Sequence, residues 1–273
     1  MSARLRGSIA YGPRVVLLAL SCQPEHTPMP YEINGFGQPL GERLPAWSPP
    51  PYPSGQVLKG RYCQLDPLQP HHTADLYRAL GTSASDPGWT YLPYGPFASE
   101  AEFTQWLSGQ CEQSDPFFYA LLNPAGEALG LASYLRIAPQ AGSIEVGHLH
   151  FGAAMARTPM ATEAMYLLMQ QAFAWGYRRY EWKCNALNGP SRRAAQRLGF
   201  SFEGVFRQAM VNKGRNRDTA WFAVIDRDWP ALQAAFLTWL AEENFAADGS
   251  QRLRLSDLTS PLLVQRDTGF LGA

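Results

Sequence analysis

Residues 117–184 leave the chain few ways to fold. Three apolar, strand-like runs at 117–122, 129–137 and 144–151 are separated only by Asn123-Pro-Ala-Gly126 and by a turn around Gln140-Ala-Gly142. Connections that short join antiparallel neighbours, so the runs form a meander. Residues 161–175 then place Ala164, Leu167, Leu168 and Ala172 at helical spacing up to a stop at Gly176, and another strand follows at 179–184.

The rest of the chain extends this pattern. Alternation over 57–65 reads as one strand, ended by Asp66-Pro67, and 70–80 has helical spacing. A loop of turn formers and aromatics, 86–97, leads to a helix that Ser99 caps, with Glu102 three residues on as in a capping box. Asn188 opens a helix running to Leu198, a strand pair covers 202–211 and 219–225, and a last helix spans 230–244. The expected fold is α+β, a mixed but mostly antiparallel central sheet with helices on both faces. Residues 1–54 read as a Pro/Gly-rich extension, since Trp47-Ser-Pro-Pro-Pro-Tyr-Pro53 holds neither helix nor sheet interior. Residues 55–245 form the domain, and 246–273 a polar tail.

Composition excludes some functions. Lys+Arg and Asp+Glu both total 23, so no net field draws the protein to nucleic acid or to an anionic membrane. Cys22, Cys63, Cys111 and Cys184 form no CxxC pair, which excludes a zinc ribbon and fits a reducing cytoplasm. Arg14 and the apolar residues up to Cys22 loosely imitate a lipoprotein signal but are too short for a secretory core, and Met29 begins the stretch that reads as ordinary protein.

The run Ser143-Ile-Glu-Val-Gly-His-Leu-His-Phe151, the loop to Thr158-Pro159 and the helix opening Met160-Ala-Thr-Glu-Ala164 place a strand directly before a helix N-terminus, a junction suited to a diphosphate. A second cluster runs from Trp182-Lys-Cys-Asn185 through Asn188-Gly-Pro-Ser191 to Leu198-Gly-Phe200 and Phe202-Glu-Gly204. Together, over about 55–244, these segments resemble the GNAT superfamily, in the branch related to the ribosomal-protein N-terminal acetylases. The resemblance implies an N-acetyltransferase that moves the acetyl group of acetyl-CoA to a primary amine, a small molecule or a protein N-terminus, by direct attack in a ternary complex. The implied protein is a monomer or homodimer and needs no metal.

The resemblance also implies roles. His150, Phe151, Arg157, Thr158, Met160, Ala161 and Thr162 would hold the coenzyme, with Asn188 on its pantetheine arm unless it is only an N-cap. Glu145 would be the general base, or a carboxylate paired with a neighbouring cation. Ser191 would protonate the leaving thiolate or merely cap its helix; the tyrosine many relatives use falls here on Ala195. The phosphate loop departs from the family pattern, with Ala156 at its basic position and Pro159 at its central glycine, and Arg157 stands one residue from the lost cation. Trp89, Tyr91, Tyr94 and Phe97 would wall the acceptor side. His148, on one strand face with His150, would contact substrate, and no third ligand makes the two a metal pair. Arg215 or Arg217, in the charged run between the last two strands, holds an acidic acceptor group or is solvated. The alternative function is a coenzyme-binding sensor without chemistry, motivated by Ala156 and Pro159.

Overall fold

The computed structural model describes residues 31–81 and 87–269. Residues 1–30, with Cys22 and Met29, lie outside the described residues, as does Asp86. Within residues 31–46, β1 (Tyr31–Ile33) and β2 (Pro39–Gly41) pair as an antiparallel hairpin. A second compact unit starts at Trp47.

That unit is built on an eight-stranded sheet in the order β3-β4-β5-β6-β7-β8-β10-β9. The strands are β3 (Leu58–Lys59), β4 (Gln64–Pro67), β5 (Phe117–Leu122), β6 (Ala128–Ala138), β7 (Ser143–Phe151), β8 (Arg179–Asn185), β9 (Ser201–Asn212) and β10 (Arg215–Ile225). All neighbours are antiparallel except β7 and β8, which run parallel because α3 (Pro159–Ala174) crosses over between them. The sheet is mixed and mostly antiparallel, as expected.

Each face of the sheet has its own core. On one, Ile144, Val146, Tyr134 and Tyr180 pack with α3, α4 (Gly189–Arg197) and α5 (Trp229–Leu240). The Tyr134 hydroxyl, fully buried, donates to the Leu168 carbonyl at 2.6 Å. On the other, α1 (Thr73–Leu76) and α2 (Glu100–Cys111) lay Leu76, Phe103 and Leu107 over Phe118 and Ala120. α2 starts as its sequence requires, Ser99 Oγ accepting from the Glu102 N–H, although the Glu102 carboxylate reaches back one residue further, to the Ala98 N–H.

Two expectations change. Residues 57–65 are not one strand: Gly60 to Cys63 turn the chain between β3 and β4. The cause lies a hundred residues away, where Glu163 in the second turn of α3 accepts the N–H groups of Arg61, Tyr62 and Cys63 at 2.8, 2.6 and 2.9 Å. A Cβ at Gly60 would sit 2.3 Å from that carboxylate, so a larger residue there would push Glu163 off the N–H groups it accepts. Residues 246–269 are not a tail either. They fold onto the domain through α6 (Leu255–Thr259), with Leu255 and Thr259 fully buried, and through Asp267, which pairs with Arg192 in the interior. The proline-rich residues 47–54 likewise run along the domain: Tyr177 donates to the Pro51 carbonyl and Tyr52 to that of Ile137. Among the described residues no helix is long and apolar enough to cross a membrane.

Candidate acyl-transfer site

β7 and β8 pair only from Ser143–Arg179 to Val146–Trp182. Beyond, β7 follows β6 while β8 stays with β10 as far as Asn185, and the sheet opens between them. The cause of the divergence is a bulge. Ser133 faces Gly147 and Leu131 faces His150, so β7 carries one residue too many, and His148 takes up the excess at φ 53°. A bulge bends its strand and exchanges the faces its later residues point to. Leu149 and Phe151 therefore turn to the α3 core while His148 and His150 turn to the aromatic layer opposite.

Two cavities meet at the opening, and Trp182 lines both. The larger, about 930 Å³, lies beside the start of α3 and is lined by Phe151, Arg157, Thr158, Ala161 and Thr162. Arg197, Arg252 and Arg254 complete it, so four arginines and no carboxylate line it. Arg157 adopts φ 63° where the loop turns into the helix. Pro159 is the first helical residue, where its missing N–H costs no helical bond. The Thr158 hydroxyl donates to the Met155 carbonyl and does not cap, so the N–H groups of Met160 and Ala161 are satisfied by no described residue. Positive side chains and a bare helix N-terminus together suit a polyanion.

The smaller cavity, about 350 Å³, lies on the other side of Trp182. Its walls are Tyr91 and its neighbours, Leu135 and Arg136 of β6, residues 145–149 of β7, the end of β8, Asn188 and Ser191 at the start of α4, and Met210 to Asn212 with Arg217. Lys213 and Gly214, both at positive φ, make the two-residue turn of the β9–β10 hairpin. The Lys213 ammonium donates to the carbonyls of Trp89 and Gly95, which ties the hairpin tip to the 87–97 loop. At the meeting point the Trp182 indole donates to Ser191 Oγ at 3.0 Å, and Asn188 Oδ1 accepts from the Ser191 N–H at 3.1 Å. A hydroxyl that accepts from an indole keeps its own proton to donate. The Cys184 thiol is within hydrogen-bonding reach of that hydroxyl, and burial pushes its pKa up.

Residues 63–201 match the family described as Acetyltransferase (GNAT) domain. The chain belongs to the GNAT acetyltransferase family. Solved structures agree. A GCN5-related N-acetyltransferase from Brucella melitensis is 46% identical at a TM-score of 0.77, covering 80% of this chain and 100% of its own. A GNAT-family protein from Chromobacterium violaceum is 41% identical at 0.67, covering 71% and 98%. RimL, the ribosomal L7/L12 alpha-N-protein acetyltransferase, shares the fold at 20% identity and a TM-score of 0.54, covering 62% and 94%. A search of curated proteins gave no match.

In this GNAT domain the residues anticipated from sequence divide. Phe151, Arg157, Thr158, Ala161 and Thr162 line the basic groove, while Glu145, His148, Tyr91, Asn188 and Ser191 line the smaller cavity. Five others lie elsewhere. The Met160 side chain, in the first turn of α3, is buried in the core. The bulge sends the His150 ring against Trp89, 4.2 Å between centroids, away from the groove. Trp89 is core, its indole donating to the Leu80 carbonyl. Tyr94 stacks on His148 and bonds its Nδ1 at 2.8 Å, behind the cavity wall. Arg215 is exposed, two residues or about 7 Å of strand nearer the hairpin tip than the cavity-lining Arg217.

Glu145 is an ion-pair partner: both its oxygens accept from Arg136 Nη1 at 2.8–2.9 Å, and Lys183 Nζ lies 3.0 Å away. Burial pushes its carboxyl up against the pull of those cations. His148 is held down to about 4 by burial and by Arg136 and Arg217, so its ring is neutral at pH 7. Sequence reasoning missed Arg136 and Lys183, although charges inside the apolar runs Tyr-Leu-Arg-Ile and Trp-Lys-Cys were a signal. It missed Arg197, half-buried, and the exposed Arg252 and Arg254 because nothing local marks an arginine as facing a groove.

Proposed function

We propose that this acetyltransferase binds acetyl-CoA in the basic groove and passes its acetyl group directly to a primary amine held in the smaller cavity. The reading is supported above all by Trp182 and Ser191, which stand where a carboxylate-free groove with four arginines meets a second cavity. The diphosphate would lie against the Met160 and Ala161 N–H groups and Arg157, which makes up for the cation absent at Ala156. Arg197, Arg252 and Arg254 would meet the remaining phosphate charge. The acyl thioester would then cross between the splayed strands.

The amine nitrogen attacks the thioester carbonyl, the C–S bond breaks, the departing sulfur takes a proton from a hydroxyl, and the proton that the nitrogen sheds passes through solvent to restore that hydroxyl. Ser191, which accepts from the Trp182 indole and so keeps its own proton, would supply it. The three cations of the acceptor cavity lower the pKa of an incoming ammonium and favour the neutral, nucleophilic amine. Glu145 keeps Arg136 and Lys183 in place. Cys184 is a poor nucleophile because its buried thiol stays protonated, which favours direct attack over an acyl-enzyme.

Thiol release from acetyl-CoA with a panel of primary amines, alongside calorimetry of coenzyme binding, tests the reading. Ser191→Ala should lower kcat by roughly 10²-fold or more with little change in coenzyme affinity, and Cys184→Ala should keep turnover. Coenzyme binding without thiol release across the panel would instead make the protein a sensor.

A further inference from the structure

The acceptor cavity carries more positive charge than its own carboxylate answers. Arg136, Lys183 and Arg217 line it against a single acid, Glu145. Glu145 is taken up by the first two, and Lys183 is held further by Glu181 at 2.6 Å and by the face of Trp221 at 3.9 Å. Arg217 makes no side-chain hydrogen bond or ion pair with the described residues, and its Nε is buried without a partner. Arg217 is half-buried, and its Nε, sealed from water with no acceptor, is a standing cost that a bound anion removes.

The backbone fixes where that anion would sit. Arg217 is paired with Met210 in the hairpin, and Lys213 ties the hairpin tip to the loop across the cavity. Thr219 faces Asn185 at the end of β8, so Arg217 stands two residues beyond that end, on the opening that Cys184 and Ser191 also line. The space is about 350 Å³, suited to a molecule of amino-acid size.

We infer that Arg217 grips the carboxylate of the acceptor, which is therefore a small amine carrying a carboxylate close to its nitrogen, an amino acid or a near relative. This rests on the transferase reading and deepens it. The pairing also reconciles two demands on the site: cations that favour the neutral amine would repel a simple ammonium, and the carboxylate offsets that repulsion. Arginine suits the task because its planar fork binds both carboxylate oxygens.

The test uses the full chain with acetyl-CoA and matched pairs of amino acids and their carboxamides, followed by thiol release. The wild type should favour the acids over the amides by about tenfold or more in kcat/KM. Arg217→Gln should remove most of that preference through a higher KM for the acids, and Arg217→Lys should fall between. Arg207→Gln, exposed on β9, should leave the preference intact. Equal use of acids and amides by the wild type would overturn the inference. So would equal losses on both in Arg217→Gln, or acetylation of peptide N-termini with no free amino acid accepted. If no amine is acetylated at all, the transferase reading fails, and Arg217 is judged by calorimetry with N-acetyl amino acids. Binding to wild type that Arg217→Gln abolishes supports the carboxylate site, and no binding refutes it.

Discussion

Acid should weaken this fold through His148, and the size of the effect follows from its surroundings. Burial, with Arg136 and Arg217 nearby, holds the imidazole down to about 4 from an ordinary 6.5. In the unfolded chain the ring regains its ordinary affinity, so between those values the unfolded state binds a proton that the fold refuses. Stability is complete above about pH 6.5 and falls as the pH drops towards 4. At ~1.4 kcal/mol per tenfold change in proton affinity, the full loss approaches ~3 kcal/mol, a large part of a typical margin of about 5–15 kcal/mol. Other groups titrate over the same range, so the quantity to measure is a difference. Urea unfolding of wild type and His148→Asn, followed by tryptophan fluorescence from pH 7.5 to 4, isolates it, because Asn keeps a polar atom for Tyr94 but cannot titrate. The wild type should lose relative stability steadily on acidification. A difference that stays constant with pH, or grows in favour of the wild type in acid, would refute the reasoning.

Glu163→Ala should cost about 2–4 kcal/mol, since it strands three N–H groups of the β3–β4 turn; Glu163→Gln should cost less, and chemical denaturation distinguishes them. Arg252→Ala and Arg254→Ala should each weaken acetyl-CoA binding by about tenfold, an effect that shrinks with added salt and is read by calorimetry. Lys213→Ala should free the hairpin tip from the Trp89 and Gly95 carbonyls, raising the acceptor KM several-fold while coenzyme affinity, measured in the same titrations, holds.

Much of the architecture was legible along the chain because it rests on local signals. The turns at Asn123–Gly126 and around Gly142 fixed the meander, Gly176 ended α3, Ser99 and Asn188 opened their helices, and the strand-to-helix junction at 143–164 marked the groove. Those features depend on dihedral preference, capping and periodicity, which act between residues near in sequence. Charge balance and residue order also belong to the sequence alone.

Tertiary structure decided what depends on partners far apart. An alternating run at 57–65 became two short strands because Glu163 collects its turn's N–H groups. A polar stretch after residue 245 became a wall with two arginines facing the groove. The single extra residue at His148 reversed the faces of the strand behind it, burying His150 and opening the cleft. Arg217 rather than Arg215 lines the smaller cavity because strand register, not the spacing of charges along the chain, determines which side chain reaches it. Desolvation and pairing across the sheet set the charge states of Glu145 and His148, and neither exists until the strands are side by side.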